Sequence, residues 1–189
     1  MLHVICVNAP DYLGRGTEYV LRLDQAIRKN LDVRHQFHVI DTVIAEGWWN
    51  KLQMFEPGRF EGRCLYFDLD TVILGSINEI ASYDGPFAML SDFYHPERLA
   101  SGIMAWDAKE GYDIWDHWAG SRKPQFMAGG DQAWIGFKQP NADRLQDLYP
   151  GQIVSFKADC LEGIPKAARV VCFHGHPRPH TLHDLMKHW

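Results

Sequence analysis

The segment RCLYFDLDTVILG, residues 63–75, decides how the chain is read. It is apolar enough for a buried strand, yet it carries Asp68 and Asp70 one residue apart. In an extended segment residues i and i+2 point to the same side, so the spacing predicts that the two carboxylates stand together while Phe67 and Leu69 face the other way. Two like charges at the end of an apolar strand repel and lose hydration. A hard divalent cation offsets that cost, because Mg²⁺ or Mn²⁺ prefers carboxylate oxygens and keeps positions open for substrate phosphates. The plainer alternative is a strand end whose aspartates cap the next turn.

Outward from this segment the chain alternates. HVICV (3–7) is a β-branched run ending at the turn-rich NAPDYLGRG. Residues 17–31 carry Val20, Leu23, Ile27 and Leu31 at near-helical spacing, with Thr17 as the expected N-cap. QFHVID (36–41) and CLYFDLD (64–70) read as strands, and TVILGSINEI runs on toward a short helix. PFAML (86–90) and SGIMAWD (101–107) are further strands. YDIWDHWAG (112–120) and DQAWIGFK (131–138) are helices, and QIVSF (152–156) and RVVCF (169–173) are late strands. Strands alternating with helices predict one α/β domain over residues 1–189, with a mostly parallel central sheet flanked by helices. Ligands of such sheets sit at the carboxyl ends of the strands. One rim should therefore hold the loop after HVICV and the ends of CLYFDLD and RVVCF.

Bulk properties narrow the function. A net charge of −5 argues against a nucleic-acid coat, which needs surplus Lys and Arg. An aromatic content of 13%, with seven Trp, suits a dense core or a pocket for flat or sugar-like ligands. Cys6, Cys64, Cys160 and Cys172 have no CxxC spacing. There is no basic leader before LHVICV and no apolar run of membrane length. The expectation is a cytoplasmic protein with free thiols, without nucleic-acid partners or a transmembrane segment.

Two enzyme classes end an apolar strand in Asp-x-Asp. In nucleotide-sugar transferases of the GT-A fold the pair holds a metal under the diphosphate. In haloacid-dehalogenase-like phosphatases the first Asp, here Asp68, is a nucleophile. Against the phosphatase, more than sixty residues precede the motif, VILGSINEI continues apolar instead of opening a cap loop, and GDQAWIG lacks a second acidic residue.

The ordered set GWWNKLQMF, CLYFDLDTVILGSI, SGIMAWD, GGDQAWI, VSFK and CFHGHPRPH resembles bacterial GT-A glycosyltransferases related to glycosyltransferase family 8. The N-terminal APDYLGRGTEYVLRLDQAIRKNL is similar to that family's nucleotide-side loop and first helix. The likeness runs over about residues 3 to 180. It implies that Asp68 and Asp70 bind Mn²⁺ or Mg²⁺, with Asp70 the more direct ligand. Relatives often carry a third ligand, a histidine, two positions before His174, where this chain has Cys172. His174 itself is the other candidate, and a thiolate at Cys172 would favour a softer metal. Gly175, Arg178 and Pro179 fit the family's late motif, and Arg178 would neutralise the departing diphosphate.

The resemblance further implies that Asp131 and Gln132 face the donor sugar and the reacting carbon, and that Lys51 lies near the donor. Asp131 as a helix N-cap and Lys51 as a solvated helix charge are the structural alternatives. Trp48 and Trp49 either line the acceptor side or belong to the core. Tyr12 is placed to stack on the base, with Asn8 and Asp11 bonding base or ribose. Asp92 is placed for sugar hydroxyls and Lys157 for phosphate. His174, His176, His180, His183 and His188 have no acidic or Cys partner at zinc spacing and read as surface histidines. The implied activity is transfer of a sugar from a nucleoside-diphosphate sugar, UDP-linked and with retention, to an acceptor hydroxyl. The other readings are the phosphatase and a nucleotide-sugar binder without turnover.

Overall fold

The structure is a computed structural model, and it describes residues 1–121 and 128–182. Its strands are β1 (Leu2–Val7), β2 (His35–Ile40), β3 (Arg63–Phe67), β4 (Thr71–Ile73), β5 (Phe87–Ser91), β6 (Leu99–Asp107), β7 (Asp143–Arg144), β8 (Ile153–Ser155) and β9 (Val170–Cys172). The helices are α1 (Gly16–Asn30), α2 (Asn78–Ala81), α3 (Tyr112–Ser121), α4 (Gly130–Lys138), α5 (Leu145–Leu148) and α6 (Phe156–Asp159), with a long 3₁₀ segment over Gly47–Phe55.

A six-stranded sheet runs β2-β1-β3-β6-β5-β7. β6 is antiparallel to both of its neighbours, while the remaining pairs are parallel, so β6 alone opposes the common direction. The mostly parallel sheet expected from the alternating elements is present.

Side-chain alternation explains why both faces are covered. In β1, Val4 and Cys6 pack on one core while Ile5 packs on the other. In β3, Leu65 and Phe67 join the first core, Cys64 and Tyr66 the second, and in β6 Ile103 and Ala105 oppose Met104 and Trp106 in the same way. α1 covers the first face through Leu23 and Ile27, two of the residues whose spacing predicted a helix, and through Tyr19, while the predicted Val20 is only partly buried. The Gly47–Phe55 segment, α3 and α4 cover the second with Leu52, Phe55, Ile114 and Ile135. Burying a side chain of this size contributes about 1.5–3 kcal/mol; the inner strands β1, β3, β5 and β6 are covered on both faces, while the edge strand β2 stays partly exposed.

A second, three-stranded sheet runs β4-β9-β8. It corrects two expectations. The run CLYFDLD is not one strand: β3 stops at Phe67, and Asp68–Asp70 form a turn in which Thr71 N–H donates to Asp68 C=O at 3.1 Å. The chain then passes as β4 into the small sheet, where Thr71 pairs with Cys172 in antiparallel register. Phe67 and Leu69 are buried, as expected, but the turn rather than a strand pleat sets the two aspartates. The late strands β8 and β9 belong to this small sheet, not to the central one. Thr17 is not the N-cap of α1 either: the helix begins at Gly16, whose N–H donates to Asp11 Oδ1 at 2.9 Å.

Candidate active site

The rim expected from the sequence is a cavity of about 440 Å³, a size that suits a ligand pocket. Its walls come from the β1 loop (Val7 and Ala9 to Leu13), the Asp68–Asp70 turn, Phe173 and His174 after β9, and Arg178. Lys51, Trp48, Ser101, Asp131 and Gln132 close its other side.

Each acidic motif is answered by a fixed cation. Lys51 Nζ lies 3.0 Å from Asp68 Oδ1 and 2.9 Å from Asp131 Oδ2. Burial pulls the ammonium's pKa down, but the charges of Asp131 and Asp68 outweigh it and hold the pKa above its ordinary value. Lys51 is therefore a buried, charged linker and not a solvated helix charge. Tyr66 O–H donates to Asp68 Oδ1 at 2.6 Å, and Ser101 O–H donates to Asp131 Oδ2 at 2.8 Å. Asp131 is no helix cap: α4 starts at Gly130 behind Gly129, and the carboxylate points at Lys51 and Ser101. Neither Tyr66 nor Ser101 was singled out from sequence, because both read as ordinary strand positions.

On the opposite wall Asp70 Oδ2 accepts from Tyr12 O–H at 2.8 Å and is ion-paired with Arg178 Nη1, which also donates to the Tyr12 hydroxyl. Burial, then the charge of Asp68, raises the Asp70 carboxyl to about 6, while Tyr12 and Arg178 pull the other way. Arg178 stacks over the Tyr12 ring at 5.5 Å. Tyr12 packs edge-on against Tyr19, whose hydroxyl bonds His180 Nδ1 at 2.5 Å. His180 is thus a half-buried structural partner, not a surface histidine. His176 is exposed, and His183 and His188 lie outside the described residues.

The remaining expectations divide. Gln132 lines this cavity and a second one of about 270 Å³ beside it, where Asp92, Phe93, Tyr94, Cys172 and His174 also lie. Asp92 Oδ1 accepts from Tyr94 N–H and His95 N–H, so it braces its own loop as well as facing that cavity. Asn8 does not line either cavity; its Oδ1 accepts from Tyr12 N–H at 2.9 Å and braces the loop that presents Tyr12. Asp11 lines the main cavity but spends one oxygen on Gly16. Gly175 and Lys157 line neither of these two cavities. Gly175 has φ +76°, and a Cβ there would stand 3.2 Å from Lys157 Nζ.

Of the two tryptophans, Trp49 is core at 5% exposure, whereas Trp48 is 63% exposed at the cavity mouth. The turn leading into them, residues 44–47, is pinned by the fully buried Asn50. Its Oδ1 accepts from Ile44 N–H and Ala45 N–H, and its Nδ2 donates to Ala45 C=O and Gly47 C=O. A Cβ on Gly130 would stand 2.4 Å from Trp48 Nε1, so the glycine before Asp131 makes room for the indole.

The residues fit a divalent cation in part. Asp68 and Asp70 offer two hard carboxylates, and Mg²⁺ is commonly held by one or two of these plus substrate phosphates. A third protein donor is not brought to them. Cys172 is buried, and its thiol is pushed well up by burial and by the Asp70 and Asp68 charges, which opposes a metal-binding thiolate. His174 stacks on Phe93 and shares its Nε2 with Ser155 Oγ at 2.7 Å. Among the described residues no three His, Cys, Asp or Glu side chains gather closely enough to hold a metal ion.

No protein-family model matches the chain, and no curated protein sequence matches it. Solved structures do match. The apo form of the glycosyltransferase GlyE of Streptococcus pneumoniae TIGR4 superposes with a TM-score of 0.64 at 13% identity, covering 94% of this chain and 55% of GlyE. The galactosyltransferase LgtC, in complex with donor and acceptor sugar analogues, gives 0.62 at 12% identity over 94% of this chain and 88% of LgtC. A glycosyltransferase involved in glycosylation of the major capsid of PBCV-1 gives 0.65 at 12% identity, covering 98% of both chains. The chain has the GT-A glycosyltransferase fold. It spans little more than half of GlyE but nearly all of the viral enzyme's length. Within the GT-A fold, the Asp68–Asp70 turn, the β1 loop and the start of α4 converge on one cavity. No helix among the described residues is long and apolar enough to cross a membrane.

Proposed function

We propose that this protein is a glycosyltransferase that moves a sugar from a nucleoside-diphosphate donor, UDP-linked, to an acceptor hydroxyl with retention of configuration. One observation carries the reading. A single cavity of the GT-A fold gathers Asp68, Asp70 and Arg178 on the side of Tyr12, and Lys51, Asp131 and Gln132 on the other. The first group suits a nucleoside diphosphate: the Tyr12 ring for the base, and the Arg178 guanidinium for the phosphates. The second suits a sugar with an electron-poor anomeric carbon.

Asp68 and Asp70 would hold a Mg²⁺ or Mn²⁺ ion, which, when bound, neutralises charge on the leaving diphosphate. Arg178 adds a fixed cation at the same place, where negative charge develops as the bond to the anomeric carbon breaks. Gln132 faces the reacting carbon, and the Asp131 carboxylate stabilises positive charge on it. Lys51 and Ser101 hold that carboxylate in its orientation. With retention, the acceptor attacks from the leaving-group side and the departing phosphate oxygen takes its proton. The exposed Trp48 face is a platform for a sugar ring.

The phosphatase reading draws no support from the fold. The test is a thermal-shift panel of UDP, GDP, CDP, ADP and TDP, each with Mn²⁺, Mg²⁺ or EDTA. A ligand at about a hundred times its dissociation constant adds roughly 2.7 kcal/mol, on the order of 5–10 °C for a chain of this size. A shift by one nucleotide, lost in EDTA, is the expected result. Binding without turnover over a broad acceptor panel would leave a nucleotide-sugar binder. Silence from every nucleotide would overturn the proposal.

A further inference from the structure

Exposed apolar side chains are ordinary when scattered singly, but four of them gather at one rim of this molecule. β1 and β2 run parallel, and Asn8 N–H donates to Ile40 C=O at 2.8 Å, so the loops that follow the two strands leave side by side. The β1 loop presents Leu13 at 52% exposure, and the β2 loop presents Val43 at 59%, Ile44 at 46% and Trp48 at 63%. Leu13 and Trp48 also line the main cavity, so this apolar rim is the lip of that cavity.

The β2 side of the lip is held by two buried amides. Gln53 Nε2 donates to Thr42 C=O at 2.7 Å, and the four bonds of Asn50 fix the backbone of residues 44, 45 and 47. Val43 and Ile44 are thus kept in water by a rigid turn. On the β1 side Leu13 has φ +55°, a left-handed backbone that non-glycine residues rarely adopt and that collects at functional sites. Polar side chains at 13, 43 and 44 would leave all of these backbone bonds in place, so the fold does not require an apolar surface here. Its surroundings decide what covers it. Residues 35–50 contain no Lys or Arg, and Asp41 and Glu46 are exposed among the apolar side chains, which opposes an anionic lipid surface. A second protein seated across Leu13 and Trp48 would stand over the cavity mouth. A small ligand that enters the cavity and extends onto the lip meets neither objection.

We propose that the lip formed by Leu13, Val43, Ile44 and Trp48 binds an uncharged apolar group of the acceptor, an alkyl or aryl aglycone attached directly to the sugar that enters the cavity. The acceptor class is then an amphiphilic glycoside and not a free sugar. The inference rests on the glycosyl-transfer reading for the ligand's role as acceptor. The affinity of the lip for an apolar group beside the cavity stands on the exposed side chains and their fixed turn.

The experiment is titration calorimetry without nucleotide, using methyl, butyl, hexyl and octyl glycosides of glucose and galactose below the concentration at which they form micelles. Wild type is compared with the double variant Val43→Ser, Ile44→Ser and with Leu13→Ser, and circular dichroism checks that each is folded. Affinity for wild type should rise by up to about fourfold for each added methylene that the lip covers. The double variant should lose most of that dependence on chain length while keeping its affinity for the methyl glycosides. Octyl and methyl glycosides that bind wild type equally, or not at all, overturn the proposal, and so does an unchanged dependence in the double variant. A dimer in sedimentation equilibrium that the double variant dissociates would assign the lip to a second copy and also overturn it. With UDP-glucose or UDP-galactose as donor, transfer to the octyl glycosides should show a lower KM than transfer to the methyl ones. Binding that follows chain length with no nucleotide bound and no transfer overturns the glycosyltransferase reading instead, and leaves the apolar lip in place.

Discussion

Lys51 and Asp131 form a salt bridge of 2.9 Å in which each side chain is only 10% exposed. The same ammonium reaches Asp68 at 3.0 Å. One buried cation therefore joins the aspartate of the central turn to the aspartate at the start of α4, across what would otherwise be a repulsive gap. Lys51→Met should leave Asp131 with only the Ser101 hydroxyl and Asp68 with only that of Tyr66. Breaking a buried pair costs about 3–5 kcal/mol, and the lower end applies because Asp68 is a third exposed. The thermal midpoint should drop by roughly 6–12 °C. An unchanged midpoint would show that the bridge contributes nothing to the fold.

Gln132 lines both cavities, next to Asp131. Gln132→Ala should lower kcat by about a hundredfold, as loss of one polar group at a charged transition state does. Nucleotide affinity, read by titration calorimetry, should stay within about twofold. An equal loss in nucleotide binding would move Gln132 from the reacting carbon to the nucleotide.

Trp48 and Gly130 make a paired test. Trp48→Ala removes the exposed ring at the cavity mouth, and Gly130→Ala keeps the ring but drives a methyl into it. Because Gly130 also has φ +63°, its variant is strained in any case. Both variants should raise KM for the sugar acceptor while leaving nucleoside-diphosphate affinity unchanged. If Trp48→Ala alters nucleotide affinity and not acceptor KM, the indole serves the donor instead.

A pH effect is expected far from the cavity. His3 Nδ1 and His38 Nε2 are 2.9 Å apart, and burial together with the charge of His3 lowers the pKa of His38 below its ordinary 6.5. The unfolded chain then binds a proton that the folded chain resists. The contribution of His38 to stability is complete above about pH 6.5 and is lost as pH falls further. His38→Gln should flatten the fall of the thermal midpoint between pH 7 and pH 5. A curve parallel to wild type would remove the histidine pair as a cause.

Much of the fold was legible because its signals are local. The apolar runs HVICV, CLYF and SGIMAWD marked strands, and the Val20–Leu31 spacing announced α1. The two aspartates after Phe67 line the main cavity, although the strand reading placed them on a pleat and the structure places them in a turn. What escaped the sequence were the partners. Asn50 sat unremarked between Trp49 and Lys51, yet it holds the whole 44–47 loop. Tyr66 and Ser101 looked like any strand residues until their hydroxyls met Asp68 and Asp131.

The sequence by itself determined the alternating elements, the apolar faces and the acidic pair at the end of β3, because period and hydropathy depend on neighbours a few residues apart. Only the tertiary structure decided which cation answers which carboxylate. Asp70 and Arg178 are 108 positions apart and meet because β4 and β9 pair in one register. Lys51 and Asp131 meet because the Gly47–Phe55 segment and α4 pack on the same face of the sheet. Those contacts follow from how buried surfaces stack, which no local pattern encodes.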